Sequence, residues 1–291
     1  MSYTIMMLRL LVVAFLTALT LRAETPLETA VALYRTKDYP AAQEAFAKLA
    51  ETQPQNGEVQ FYLGVLAEKR GENETAIQRL EQAVLITPTN SNYMLELGGA
   101  YGTAAKKAGL LSKMTWAKKC VTALEKAVEL DPENLAARNG LMSYYREAPS
   151  FVGGGIGKAY EQAEEIKKRD PIMGAAVLGQ LYLSEKKPDE AFAVYEEALK
   201  ASPDHYGLLY GIGRAAAQTG KNLDRGEQAL RRCLELTPGK GDPGPAAIHW
   251  RLGNIAESRG DPAAARTAYE AALKADPGFK AATESLSKLA K

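Results

Sequence analysis

Small and bulky apolar residues recur along the chain at helical spacing, in phase with a set of prolines. The prolines stand at Pro54, Pro88, Pro132, Pro171, Pro203, Pro238 and Pro277. Twelve residues before each is a small side chain: Ala42, Ala76, Cys120, Ala159, Ala191, Gly226 and Ala265. Eight before each is a bulky one (Phe46, Leu80, Leu124, Tyr195, Leu230 and Tyr269), with Ala163 the exception. Five before each are Leu49, Ala83, Ala127, Ile166, Ala198, Cys233 and Ala272. Steps of four and three place such residues on one face of a helix. A proline inside a helix costs about 3 kcal/mol, so each proline is expected to mark a helix end. A second helix is expected upstream of each, marked by Leu63-Gly64, Leu97-Gly98, Leu178-Gly179, Ile212-Gly213 and Leu252-Gly253. Glycine in a helix interior costs about 1 kcal/mol relative to alanine. Its return at one phase therefore predicts a close approach of two helices.

The pattern divides the chain into seven helix-turn-helix units, near 24–55, 56–90, 91–134, 135–171, 172–204, 205–239 and 246–278. Residues 279–291 form one more helix, with Lys280, Glu284 and Lys288 spaced by four as a solvating cap. Gly57 to Asn90 is 34 residues long and carries Leu63, Gly64, Ala76, Leu80, Ala83 and Pro88. This unit resembles the tetratricopeptide repeat family at its key positions, and the resemblance extends from Glu24 to the C-terminus. It implies an all-α, right-handed α-solenoid of about seven repeats closed by a C-terminal capping helix.

Two insertions break the period. From Gly64 to Pro88 is 24 residues, from Gly98 to Pro132 it is 34, and from Met142 to Pro171 it is 29. Both are expected at the turn between the two helices of a unit, hence on one edge of a stacked array. The first contains Lys106, Lys107, Lys113, Lys118 and Lys119, with Leu110, Leu111, Met114 and Trp116 interleaved and no acid between Glu96 and Glu125. It suits an acidic partner or an anionic lipid surface; the plainer alternative is two longer helices with solvated lysines. The second runs Ala148-Pro149-Ser150-Phe151-Val152-Gly153-Gly154-Gly155-Ile156-Gly157-Lys158-Ala159. A phosphate loop needs a glycine five before the Gly-Lys and a Ser or Thr after it; Val152 and Ala159 stand there, so no nucleotide site is expected. Free backbone N–H groups at a helix start would still suit an anion, whereas a flexible or tightly packed turn is the ordinary behaviour of such a segment. The Ala-Pro and Gly-Gly arrangement also resembles a variant of secreted bacterial repeat proteins. A third irregularity, Gly239 to Pro245, reads as a loop or slight hinge.

In the resembled family the first helix of each unit lines a concave groove where peptides bind. Carrying the phase over gives Tyr34, Phe61, Asn139, Arg146, Gln180, Tyr210, Arg214, Trp250 and Asn254, a set of aromatics, amides and arginines suited to peptide recognition. The family's clamp for acidic chaperone tails needs Lys and Asn, but Phe61, Val65, Leu95 and Gly99 occupy its places. The insertion edge adds Lys106, Lys107, Lys113, Trp116, Lys118, Lys119, Gly153, Gly154 and Gly155 as a second candidate surface. Tyr101, Tyr145 and Tyr182 fall at a buried phase.

Composition narrows the chemistry. The 291 residues are 46% hydrophobic and 24% charged, as expected of a folded domain, and the net charge is +1. A near-neutral balance argues against a nucleic-acid binder with a broad basic face. Cys120 and Cys233 lie three units apart at alanine positions and are expected as small buried hydrophobes, not a disulfide. With two histidines, His205 and His249, no metal or cofactor is expected. Glu164-Glu165 reads as a solvated helix face, and no catalytic motif occurs, so the expectation is a non-enzyme.

Residues 1–23 read as a signal peptide: Arg9, an apolar run from Leu10 to Leu21, then Ala23 before Glu24. The run of 12 is short for a membrane span of about 20 residues. Leu21 and Arg22 make the cleavage site imperfect, which leaves an uncleaved anchor as the alternative. Three functions follow as expectations. The leading one is a secreted, periplasmic adaptor that binds a protein or peptide. The others are a membrane-tethered envelope assembly factor, held by its N-terminus and the lysine-rich projection, and a small-ligand carrier working with a transport system.

Overall fold

The structure, a computed structural model, describes residues 25–289. The expected signal peptide lies outside the described residues. The chain forms two compact units, divided between Trp116 and Ala117, and each is described by itself. Among the described residues every regular element is helical.

The first unit contains α1 (Pro26–Arg35), α2 (Tyr39–Thr52), α3 (Gly57–Lys69), α4 (Asn73–Ile86) and α5 (Ser91–Lys107). The helix α6 (Leu110–Leu130) spans the division. The second unit continues with α7 (Leu135–Glu147), a 3₁₀ turn (Ser150–Val152), α8 (Ile156–Arg169), α9 (Pro171–Ser184) and α10 (Pro188–Ala201). It ends with α11 (Tyr206–Thr219), α12 (Leu223–Glu235), α13 (Pro245–Ser258), α14 (Pro262–Ala275) and α15 (Lys280–Leu289). The pairs α1–α2, α3–α4, α7–α8, α9–α10, α11–α12 and α13–α14 each pack together, and α15 packs on α14. The fold is an α-solenoid of helix-turn-helix repeats.

Local chemistry sets the helix starts. The side chains of Asn56, Asn90, Asn134 and Asp170 accept backbone N–H bonds at the starts of α3, α5, α7 and α9, satisfying donors that a helix leaves free. Thr25 and Glu28 close a capping box on α1. All seven periodic prolines lie just after the second helix of a pair, as expected; Pro171, two residues past the end of α8, also opens α9. Asp170 there ends α8 and caps α9 at once, so those helices follow without a linker.

The periodic positions form the core. All of the small and bulky residues set twelve and eight before the prolines are buried, Ala163 included. Of those five before, Ala198 alone is only half-buried. The recurrent glycines face the bulky residues. A Cβ on Gly64 would stand 2.7 Å from Leu80 Cγ, and one on Gly179 2.2 Å from the Tyr195 ring. The same distance is 2.3 Å from Gly213 to Leu230 and 2.3 Å from Gly253 to Tyr269. These glycines are seats for a side chain of the paired helix. In the α7–α8 pair the sizes are exchanged: Met142 holds the glycine's place and Ala163 the bulky residue's, both buried.

The first insertion is absorbed as helix. α5 has 17 residues and α6 has 21, against 13 or 14 in α3 and α4. Tyr101 and Tyr145 are buried, and each hydroxyl donates to a glutamate of the preceding helix, Glu81 and Glu125. Tyr182 is only half-buried, its ring 5.3 Å from that of Tyr160. Cys120 and Cys233 are buried and form no disulfide. Burial pushes the Cys233 thiol up to about 12. The loop before α13 is held by Tyr206, whose hydroxyl donates to the Pro243 carbonyl, and by Asp242, which accepts from the Gly239 amide.

The seats give a direct test. Gly213→Ala forces a methyl into the fully buried Leu230 side chain and should lower stability by ~1–3 kcal/mol. Gly99→Ala, in α5 with open space around the position, should instead raise it by up to ~1 kcal/mol. Urea unfolding followed by circular dichroism reads both signs.

Candidate functional site

In the first unit the groove candidates Tyr34 and Phe61 are half-buried and belong to one run of aromatic rings. Tyr34 stands 5.7 Å from Tyr39 and 5.0 Å from Tyr62. Phe61 meets Tyr62 edge-on at 5.3 Å and stacks on Tyr93 at 4.6 Å. Such pairs gain from their quadrupoles as well as from burial, so these rings hold α1, α3 and α5 together as well as presenting a surface. Lys69 places its ammonium 4.9 Å from the Tyr39 ring and 5.9 Å from Tyr34.

Beside these rings lies a carboxylate pair that the repeat phase did not single out. Glu68 on α3 and Glu96 on α5 are half-buried. Burial raises the pKa of both; Glu68 raises that of Glu96 further, and Lys69 opposes the shift in each. Burial raises the Tyr34 hydroxyl as well, with Tyr39, Glu96 and Glu68 among the contributors. Glu68 follows Phe61 by seven residues, two helical turns on the same face, which is the spacing that marks it in the sequence.

In the second unit α9, α11 and α13 lie side by side. Gln180 on α9 is exposed. Tyr210 and Arg214, one turn apart on α11, are half-buried. Burial raises the Tyr195 hydroxyl and the charge of Arg214 opposes this, so Arg214 reaches the ring that fills the Gly179 seat. The Nε of Arg214 is buried without a hydrogen-bond partner, and the same is true of Arg251 on α13. The Arg251 guanidinium lies 4.2 Å from the Trp250 ring centroid. Trp250 itself turns to the C-terminal helix: its Nε1 donates to Ser285 Oγ at 3.1 Å and its ring meets Phe279 edge-on. The Asn254 side-chain oxygen accepts from the Tyr269 hydroxyl at 2.8 Å. Trp250 and Asn254 are thus engaged in packing α13 on α14 and α15. On α7, Asn139 is half-buried and Arg146 pairs with Glu147 at 2.9 Å.

On the insertion edge, Lys106 and Lys107 are exposed in the last turn of α5, where a positive charge complements the helix dipole. Lys113, Lys118 and Lys119 are exposed on α6. Trp116 is half-buried and stacks on Tyr101 at 5.6 Å. The triple glycine forms the tightly packed turn that is the ordinary behaviour of such a segment. The amides of Gly153, Gly154 and Gly155 already donate to the carbonyls of Ser150, Pro149 and Tyr145, at 2.9, 3.1 and 2.8 Å. Gly154 is buried, and a Cβ there would stand 1.8 Å from the Ala148 oxygen. Glycine is present because the turn folds back on itself.

Two surface clefts add no enclosed pocket. One of about 380 Å³ in the first unit is bordered by Gln43, Glu51, Arg70 and Arg79. One of about 560 Å³ in the second is bordered by Asp204, Arg225, Arg231 and Arg232, arginines already paired with acids. Among the described residues no group of three His, Cys, Asp or Glu could hold a metal ion.

The carboxylate pair sets a pH dependence. A carboxyl whose folded pKa is raised contributes stability present below the unfolded value, ~4.3. That contribution is lost as pH rises through the folded value. Glu96→Gln should therefore raise the melting temperature, by an amount that grows from pH 4 to pH 7. A constant or shrinking difference across that range would refute the burial of a charge at Glu96.

Family models of the tetratricopeptide repeat match residues 27–92 and 222–279, residues 182–240, and residues 103–134. A cytochrome c-type biogenesis protein, CycH of Pseudomonas aeruginosa, is 28% identical over 230 residues. The match covers 75% of this chain and 54% of that protein, so the chain spans about half its length. Among solved structures, a tetratricopeptide repeat protein of Parabacteroides merdae superposes with a TM-score of 0.62 at 13% identity, over 91% of this chain and 98% of that one. A thermophilic repeat protein of Thermus thermophilus superposes with a TM-score of 0.51 at 22% identity, over 72% and 97%. These two likenesses are of fold. The seats, the turns and the matched repeats agree, and the chain belongs to the tetratricopeptide repeat family.

Proposed function

We propose that this protein is a non-enzymatic scaffold acting outside the cytoplasm, where it holds a protein partner during assembly of the cell envelope. Repeat proteins of this family mediate protein–protein interaction through extended surfaces, and function follows from the shape and chemistry of those surfaces. The observation that carries the reading is the α11–α13 face. Tyr210, Arg214 and Arg251 are half-buried on neighbouring first helices, and both arginine Nε atoms lack a partner. Half-buried arginines beside aromatic rings are the residues that dominate binding energy at protein interfaces. A peptide with acidic side chains would pair with the charge of these half-buried guanidinium groups.

The signal-like N-terminus supports the compartment, and the likeness to a cytochrome c-type biogenesis protein supports an assembly role. The ligand-carrier alternative gains nothing from the clefts, which are bordered by paired charges.

The test is a photo-cross-linking residue at Tyr210 in the native envelope. One acidic segment should be captured, and Arg214→Glu should reduce capture about 10-fold or more, as for loss of a desolvated charge pair. If Arg214→Glu leaves capture intact while the triple change of Lys106, Lys107 and Lys113 to Glu abolishes it, the insertion edge is the binding surface. Intact mass of the native protein reads the compartment: loss of residues 1–23 is expected, and their retention would contradict a freely secreted scaffold.

A further inference from the structure

The second insertion exposes apolar surface that neither the fold nor the groove uses. Phe151 is 68% exposed and Ile156 is 37% exposed, while Val152 between them is buried. An aromatic side chain left in water is costly, and here it cannot turn inward. The Tyr144 hydroxyl donates to the Val152 carbonyl at 2.6 Å, and the glycine amides bond back to Tyr145, Pro149 and Ser150. Gly153 adopts φ +95°, a conformation that favours glycine. The segment is a fixed turn with Phe151 held on its outer side.

The turn itself carries no acid, and lysines stand around it; Glu147, paired with Arg146, Glu125, which accepts from the Tyr145 hydroxyl, and Glu161 border it. No acid occurs between Glu147 and Glu161, nor between Ala117 and Glu125 on the neighbouring part of α6. The turn lies over α6, since a Cβ on Gly153 would stand 3.9 Å from Val121. Lys118, exposed, sits one helical turn before Val121, and Lys119 is exposed beside it. Lys158, exposed, reaches back to the Gly153 carbonyl at 3.2 Å and lies over the Tyr145 ring. A rigid apolar tip flanked by lysines thus ends the α6–α8 region.

We infer that this turn is a membrane-contact site that inserts Phe151 into the interface of an anionic bilayer, with Lys118, Lys119 and Lys158 against the headgroups. Two features favour a lipid surface over a protein. The apolar side chains stand out on a turn instead of lining a cleft. Lys118, Lys119 and Lys158 around them complement an anionic leaflet. The inference is independent of the α11–α13 groove, whose failure would leave it standing.

The experiment uses the full chain with Trp116→Phe and Trp250→Phe, which leaves no native tryptophan, and Phe151→Trp as the probe. Circular dichroism checks the fold. With phosphatidylglycerol-containing vesicles, the probe's emission should shift to the blue and be quenched by lipids brominated near the headgroup end of the acyl chain. Partition into these vesicles should exceed that into pure phosphatidylcholine about 10-fold or more. In the native background, Phe151→Asp, or Lys118, Lys119 and Lys158 together changed to Glu, should remove most of that excess. Binding through the N-terminal apolar segment instead would leave both variants bound and the probe unquenched, and would overturn the inference. So would an unquenched probe at position 151 that cross-links to a protein when replaced by a photo-reactive residue.

Discussion

The fold depends on one contact repeated with small variations: a bulky side chain on the second helix of a pair seated on a glycine of the first. Leu80 on Gly64, Tyr195 on Gly179, Leu230 on Gly213 and Tyr269 on Gly253 are the same arrangement with different fillings. Each glycine weakens its own helix by about 1 kcal/mol, and that cost is offset by close packing of two helices along their length. Because the second helix brings its small residues to the interface twelve before the proline, the pair docks tightly at both levels. Each pair has too little core to stand alone, and its neighbours supply the rest.

This constraint explains what could be read from the sequence. The seven-fold register of small, bulky and small residues is a packing requirement, so it recurs in the letters, and the helices follow from it. The exception at Ala163 comes with a second one: Met142 stands where the other first helices have glycine, and both residues are buried. Boundaries governed by capping were less legible. Pro171 follows the end of α8 as its spacing predicts and also begins α9, because Asp170 serves two helices at once. The first insertion was legible as extra length and charge, and its form, two extended helices with exposed lysines, is the plainer of the two sequence readings; the stacking of Trp116 on Tyr101 is what no periodicity encodes.

The candidate surfaces were legible only in part, for the same reason. Repeat phase identifies which face a residue occupies and not what its neighbours ask of it. Trp250 and Asn254 have the expected phase, yet their polar atoms serve the C-terminal helices. Glu68 and Glu96 are made unusual by burial, and Glu96 further by Glu68, a property of two helices meeting. The glycine turn reads in one dimension as a turn and not as a phosphate loop, and in three its amides are satisfied within it, with Phe151 left outside. A repeat array spends its regular positions on stacking, so its individuality lies in the irregular ones: a half-buried arginine with an unbonded Nε, a pair of acids, an apolar tip.

The seat is tested most directly where its two sizes are exchanged. Met142→Gly and Ala163→Leu each disturb it, the first by leaving a cavity and the second by overfilling it, and each should cost ~1–4 kcal/mol of unfolding free energy. Together they recreate the arrangement of the other pairs, and the double variant should recover most of that loss, with a coupling of ~1 kcal/mol or more. Additive losses in the double variant would show that the two positions do not form one seat, and would contradict the account of how the helix pairs are held.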